Sequence, residues 1–441
     1  MKPRLISFAL ACFMLTGSFL SNACALNALD MSNKVIQQAG FQALQTATDK
    51  NNNYKKSKQI SFDSLEYIIR NNNQSIKSFE KTLESIKTVD VSQQFVNQRI
   101  QCLTQSQFLQ KQLEGYKNSE SELRQVAGET EDSPTKKALE AQANAMKILA
   151  EQTQASIYAN DAMLEGFKDS ERDAIHDLDE KYTSTRKQLE NASDQIVIGA
   201  QTQYITLITL ENTINSLNRT INAIQRTMKV IDKQFEIGLA SEIDVKQIKN
   251  QYETAKSNLE SLKVQKTALE SNLAVILGND LDTIVNVKSL KYITDSQINA
   301  INYNSDLQNV MKNSYNLWQK KDAVRKAKND YAKDITSTKH ALEASQIDLE
   351  QAEKQKEMDF KSLYDLMLEK QRLIYKAQSD FELAKQNFEI VKVKLDKGMI
   401  SQMEYETEKD KLDDMQDKIE SAKIELFTTY NQYKWTVRGA I

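Results

Sequence analysis

The chain has 441 residues, 58 Lys and Arg against 61 Asp and Glu, and a formal net charge of −3. Charges this evenly balanced exclude the strongly basic surface of a nucleic-acid binder. With 10 Gly and 2 Pro the chain is also too poor in turn formers for a loop-rich fold, so long helices with few loops are expected.

Residues 1–25 read as a secretory signal. Lys2 and Arg4 supply the positive start, Ile6 to Leu20 an apolar stretch short for a permanent membrane anchor, and Ala23-Cys24-Ala25 a small-x-small cleavage pattern. A lipid-anchored start at Cys24 is the alternative, although Ser21 stands where an aliphatic residue is usual. Cleavage leaves Cys102, joined by Cys24 if that residue is retained, and a single cysteine gives no disulfide framework. The mature chain has no apolar run long enough for a transmembrane helix. Residues 26–59 form an N-terminal segment, and the polar stretch 100–185 predicts two helices, about 105–125 and 135–165, around an exposed loop at 127–137 containing Pro134.

Further along, Leu210, Ile214, Leu217, Ile221, Ile224, Met228, Ile231 and Phe235 alternate spacings of four and three, the apolar seam of a coiled helix pair. Ile248, Tyr252, Ala255, Leu259, Leu262, Leu269, Leu273 and Ile276 continue such a seam after Gly238, with Lys266 interrupting it. A helix from about 187 to 237 would be on the order of 75 Å long at 1.5 Å per residue. Rods of this kind form no compact globule, and seams so narrow require neighbours.

The reversal occurs at "FEIGLASEIDV" (235–245), and "LDKGMISQMEY" (395–405) repeats it 160 positions later. Without a gap from 204 to 277, the shift places Tyr204 on Tyr364, Ile214 on Ile374, Met228 on Phe388 and "LESLK" (259–263) on "IESAK" (419–423). Gly238 and Gly398 are expected at C′, where φ is positive. Ser241 and Ser401 are expected as N-caps, with Asp244 and Glu404 closing capping boxes and Ala240–Val245 and Ile400–Tyr405 as hydrophobic staples. Ahead of each hairpin, "LEYIIRNNNQSIKSFEKTL" (65–83) and "LQNVMKNSYNLWQKKDAVR" (307–325) are read as matching opening helices. Between the units, 279–300 is a linker in which "TIVNVK" (283–288) alternates like a short strand.

No catalytic constellation emerges. His176 and His340 are isolated on polar helical stretches, Cys102 has no histidine partner in the sequence pattern, and there is no phosphate loop or nucleophile elbow. No cofactor or metal is expected, and the chain is not read as an enzyme. Trp318 and Trp435 are assigned to packing.

A leader, two long helical hairpins, and the corner pattern [YF]-x-x-G-[LM]-x-S-x-x-[DE] together resemble the TolC family of outer membrane efflux proteins. "ISFDSLEYIIRNNN" (60–73), "AQTQYITLITLENTI" (200–214), "FEIGLASEIDV" (235–245) and "LDKGMISQMEYETEKDKLDDMQ" (395–416) carry the likeness, over roughly residues 60–100 and 190–439. The resemblance implies an all-α protomer of long antiparallel hairpins in two repeats: 60–278, with the helical insert at about 100–185, and 301–439. It implies a homotrimer closing a hollow helical tube in the cell envelope, at the outer membrane or its equivalent. The conduit would be passive, serving a periplasmic adaptor (membrane fusion) protein and an inner-membrane pump of ABC or RND type. The tips that meet the adaptor would be Gly238, Leu239, Ser241 and Asp244, and Gly398, Met399, Ser401 and Glu404, with Asp244 and Glu404 as candidates for an acidic ring favouring cations. Ala240 and Ile400 occupy the place of a basic tip residue found in some members.

The family's barrel strands are not legible. The stretches 100–185 and 325–360 are polar and helical in pattern, so helix is expected in their place and the manner of membrane contact is left open. The alternative, from another class, is a secreted coiled-coil scaffold or adhesin without a lumen.

Overall fold

The structure is a computed structural model and describes residues 57–279, 284–332 and 335–441. The leader expected at 1–25 and nearly all of the segment 26–59 lie outside the described residues. In chain order the elements are β1 (Ser57–Ile60), α1 (Phe62–Asn72), α2 (Gln74–Lys87), α3 (Ser92–Glu129), α4 (Ser133–Glu236), α5 (Glu242–Ile276), β2 (Ile284–Val287), α6 (Asp295–Asn299), α7 (Tyr303–Asn313), α8 (Tyr315–Asn329), α9 (Thr336–Asp396) and α10 (Gln402–Arg438). The fold is the expected all-α one of long antiparallel hairpins. Two compact units are present: the residues up to Ile76 together with Asn191–Ile441, and Lys77–Glu190.

In the second unit α3 packs on the first part of α4 through a seam of small side chains, with Cys102, Ser106, Ala143, Ala150 and Ile157 all buried. Asn160 donates to the Cys102 carbonyl at 2.7 Å and to the Ser106 hydroxyl at 2.8 Å, and Arg99 pairs with Glu171 at 2.7 Å. The two helices expected at about 105–125 and 135–165 are here but longer. The second continues to Glu236 as a 104-residue helix, where a separate helix from about 187 was expected. No proline follows Pro134 in this segment, and Gly166 has open space around it, so nothing ends the helix. Pro134 sits in the first turn, where its missing N–H costs nothing, and Asp132 caps that turn by accepting from the Thr135 amide at 3.2 Å.

In the first unit β1 and β2 run parallel, Ser57 opposite Ile284 and Ile60 opposite Val287. The linker strand is the one expected; its partner was not. The buried Tyr204 hydroxyl lies 3.0 Å from the Ile60 carbonyl and 2.7 Å from that of Lys288, so one tyrosine of α4 holds the ends of both strands. Around it Leu65, Ile69, Val197, Leu207, Leu273, Leu277, Val285 and Trp435 form the main core. A second core gathers Val310, Phe360, Met367, Leu426 and Tyr433. Trp435 is fully packed, its indole N–H donating to Gln201 at 2.7 Å.

The opening helices are corrected. Each is broken, at Asn73 (ψ 128°) and at Ser314 (ψ 121°), into an 11-residue helix and a following one. The Asn73 carboxamide accepts from the amides of Ser75 and Ile76 and donates to the Ile276 carbonyl at 2.8 Å. The Ser314 hydroxyl accepts from the Leu317 amide. A short polar side chain thus offers the backbone a cap in place of a continuing helix. The break puts Ile69 in register with Val310 and Ile76 with Leu317, all buried, one residue off the alignment of 65–83 with 307–325.

Each break is wedged by the end of a closing helix. Gly278 (φ 74°) ends α5 and Gly439 (φ 92°) ends α10. The Asn279 amide reaches the Ala274 carbonyl at 2.9 Å and the Ala440 amide reaches that of Trp435 at 3.1 Å, the closure that a left-handed residue permits. A Cβ at Gly278 would lie 2.5 Å from the Asn72 carbonyl oxygen, and one at Gly439 would collide with that of Asn313. Gly278→Ala and Gly439→Ala are therefore expected to destabilise by about 2 kcal/mol or more, from positive φ plus displaced backbone. Gly115→Ala, with open space around it, is expected to be neutral or to stabilise by up to about 1 kcal/mol. Denaturant unfolding of the three variants checks this.

Candidate functional site: two matched corners

Both corners take the conformation their sequences require. Gly238 has φ 77° and Gly398 φ 68°. The Leu239 amide donates to the Gln234 carbonyl at 2.7 Å and the Gly238 amide to that of Phe235 at 3.0 Å. In the second corner Met399 reaches Lys394 at 2.8 Å and Gly398 reaches Leu395 at 2.8 Å. These are the paired bonds of a Schellman closure, which satisfy carbonyls that the helix end leaves orphaned.

The next helix starts with an equally complete cap. The Ser241 hydroxyl accepts from the Asp244 amide at 3.2 Å, while the Asp244 carboxylate accepts from the Ser241 amide at 2.8 Å and its hydroxyl at 2.7 Å. Ser401 and Glu404 repeat this at 3.2, 2.7 and 3.0 Å. The hydrogen bond from the Ser241 hydroxyl, then that from its amide, hold the Asp244 carboxyl below its ordinary range. For Glu404 the Ser401 amide is the larger cause and its hydroxyl the second. The structure thus accounts for both acids as caps, and each corner is closed within itself. The chain at 240 and 400 is apolar, and Ala240 and Ile400 are half-buried, as are Val245 and Tyr405.

Folding does not account for the apolar side chains left outside. A Schellman closure is commonly accompanied by an apolar contact between C″ and C3 or C4. At the first corner C3 and C4 are Gln234 and Lys233, so Leu239 has no such partner; at the second C3 is Lys394 and C4 Val393. Leu239 and Met399 are 76% and 71% exposed. Ile237 and Ile243 flank Leu239, 70% and 74% exposed.

Above the corners the hairpins are held unevenly. In the first, Ile221, Ala255 and Leu259 are buried, with Ile214, Leu217, Ile224 and Tyr252 half-buried around them. The seam weakens toward the corner, where Phe235 is about half exposed. Lys266, which interrupts the seam, pairs with Glu211 at 2.7 Å and Glu270 at 3.7 Å. Burial opposes its charge, but those two carboxylates outweigh it and raise its pKa. Between the hairpins, Arg219 binds Asp417 and Arg226 binds Asp410. The sequence reading missed these pairs. Their signal is a shared heptad spacing in two stretches running in opposite directions. His176 and His340 are exposed beside Glu180 and Glu343.

Neither barrel-length strands nor a crossing helix is found among the described residues. The two strands have four residues each, where a membrane strand needs about 9–11, and no helix is long and apolar enough to cross a membrane. The stretches 100–185, apart from the turn at 130–132, and 336–360 are helical, and 325–329 end α8.

No family model and no curated protein matches the chain. Among solved structures it is similar to the Campylobacter jejuni CmeC outer membrane channel, at 14% identity over 61% of this chain and 68% of that one, with a TM-score of 0.39. It is also similar to the Vibrio cholerae outer membrane protein VceC (12%, 61% and 76%, TM-score 0.42) and to the outer-membrane channel OprN (10%, 60% and 70%, TM-score 0.46).

The capping acids set a pH dependence. Their folded pKa values lie below the ordinary 3.8 and 4.5, so the stabilisation they give is complete above those values and is lost as pH falls through the lowered ones. Protection of the amides at residues 241–244 and 401–404, measured against their intrinsic exchange rates, should therefore be constant around neutral pH and fall under strong acid. Ser241→Ala and Ser401→Ala should each cost about 1 kcal/mol and accelerate exchange there at every pH.

Proposed function

We propose that the chain is a passive conduit component of an export system in the cell envelope, its two corners docking a partner protein. The observation that carries this reading is the pair of matched corners, 160 positions apart, whose apolar C″ residues face water without serving the fold. Exposed apolar groups on rigid, fully hydrogen-bonded turns are what a docking surface needs. Apolar side chains outside the hairpin seams supply the second argument. Leu366, Leu373, Leu383 and Ile390 on α9 and Val264 on α5 remain exposed, as rods built to close against further helices would leave them.

In full, the reading is a homotrimer enclosing a water-filled path, a periplasmic adaptor at the corners, and an inner-membrane pump of ABC or RND type supplying the energy. Asp244 and Glu404 would bring their charge to the mouth of that path. Helix stands in place of the family's barrel strands, so the far end would engage the membrane through helices or a partner.

Asp244→Cys and, as a control remote in sequence, Glu131→Cys test this in the native host. Inter-chain disulfides at 244 that block export, with none at 131, are the expected outcome. Export unaffected by crosslinking, or no inter-chain bond at 244, favours a scaffold without a lumen.

A further inference from the structure

The first hairpin bears two unlike faces. On α4, Thr202, Thr206, Thr209, Thr213, Ser216 and Thr220 follow one another at spacings of four and three, and so share one side of the helix. Gln247, Gln251, Thr254, Asn258 and Ser261 do the same on α5, and all five are exposed. The two lines meet across a groove walled by Thr213, Ser216, Thr220, Asn258 and Ser261. Neither line holds a charge, in a chain of which 27% is charged. Lys246, at the corner end of this face, is paired with Glu242 at 2.7 Å. Toward α10 the α4 line borders a second groove whose acids, Asp417 and Glu425, are paired with Arg219 and Lys370. On the other side of the α5 seam, Lys249, Glu253, Lys256, Glu260 and Lys263 alternate in sign, and all are exposed.

The hairpin does not need this neutrality to fold. The 160-residue shift places Thr209, Ser216 and Thr220 on Glu369, Lys376 and Asp380, and Gln251, Thr254 and Asn258 on Lys411, Asp414 and Lys418. The second hairpin therefore takes the same form with charges in the same places. The core of β1, β2 and α1 covers α4 on the side of Tyr204. Thr202 and Thr206 stand two residues to either side of Tyr204, hence on the far side of the helix, and both are exposed. The threonines are also spent as donors. Thr202, Thr206, Thr209, Thr213 and Thr220 each give the hydroxyl proton to the carbonyl four residues back, at 2.9 to 3.2 Å. What remains for a molecule beside them is a hydroxyl lone pair and a methyl group.

We propose that this charge-free face of the first hairpin is the wall that the conduit turns to its cargo, and that it passes polar solutes of either charge sign without retaining them. This rests on the conduit reading above and adds which face lines the path and what kind of cargo suits it. A wall of fixed charge concentrates solutes of one sign and holds them. Conduction needs contact weak enough to be left again. Hydroxyls already bonded to their own helix, beside the side-chain amides of Gln247, Gln251 and Asn258, offer contact of that strength along the whole hairpin. The alternating charges of the reverse face stay with solvent and with one another, as Lys263 and Glu260 do at 2.8 Å.

The test uses Thr213→Cys and, on the reverse face, Lys256→Cys, both at exposed positions of the full-length chain in its native host. Each is treated with methanethiosulfonates carrying a cationic trimethylammonioethyl, an anionic sulfonatoethyl or a neutral hydroxyethyl group. The unaltered chain, whose Cys102 is buried, is the control. Export is read as the difference that the chain makes to ethidium efflux and to secreted protein. A charged adduct at 213 should lower export of cargo of its own sign at least about tenfold, while the neutral adduct at 213 and every adduct at 256 leave it within about twofold. Loss at 256 and not at 213 puts the path on the other face. Equal loss from neutral and charged adducts at 213 makes the neutrality of the wall immaterial. A residue 213 that is labelled only after unfolding is covered by protein, and one fully labelled without effect lines no path. Each of these overturns the inference and leaves the conduit reading standing. Efflux and secretion both unchanged by deleting the chain overturn the conduit reading itself.

Discussion

The structure depends on how its helices end. A chain made of long rods has few loops to absorb unpaired backbone groups, so each reversal must satisfy the last carbonyls of one helix and the first amides of the next within a few residues. Gly238, Gly278, Gly398 and Gly439 all do the first task with the same left-handed closure. At two of them the following Ser-x-x-Asp/Glu does the second. These local bonds set the register of each hairpin, and hence which side chains face the seam. An apolar pattern of two positions per heptad would otherwise tolerate a slip of one turn.

Packing density then varies along the first unit. At the end bearing the strands, Tyr204, Trp435 and the stacked Tyr303, Phe360 and Tyr433 rings are locked by aromatic contacts and hydrogen bonds. Toward the corners the hairpins rest on one thin seam and on Arg219–Asp417 and Arg226–Asp410. Those pairs are partly solvated, with side chains 26–35% exposed. Pairs of this kind contribute about 0–1 kcal/mol each, so they fix the facing of one hairpin on the other more than they stabilise it. Local opening should be easiest where apolar burial is least, which is at the corners. Rigid turns on a loosely packed stem suit a surface that must meet a partner.

What was legible in the sequence follows the range of the interactions involved. Gly238, Ser241 and Asp244, with Gly398, Ser401 and Glu404, were legible because every bond they make is within a few residues, and the repeat gave each a second witness. The linker strand was legible by its alternation. β1 was not, since "SKQI" acquires its extended form from pairing with a strand more than two hundred residues away. The breaks at Asn73 and Ser314 were hidden because asparagine and serine are tolerated inside helices. Only the Ile276 carbonyl and the Gly439 backbone, brought close by tertiary packing, turn them into caps. The Arg–Asp pairs were missed for the same reason. The length of α4 was misjudged in the opposite sense: a polar stretch was taken for a boundary although it holds no helix breaker.

Asp244 and Glu404 show why the structural and functional readings of one residue need not compete. Their caps engage one carboxylate oxygen each, and those same hydrogen bonds depress the pKa. A carboxylate held ionised by its own cap keeps its negative charge at any pH where the helix start is intact, and the helix dipole favours it there. The charge at each corner is therefore fixed in place and sign by the turn that bears it. A freely rotating surface acid would titrate near its ordinary value and wander over several ångströms. If the corners meet a cargo or a partner, they present an acid whose position is set by backbone geometry, and the same two residues that make the chain reverse also make that charge dependable.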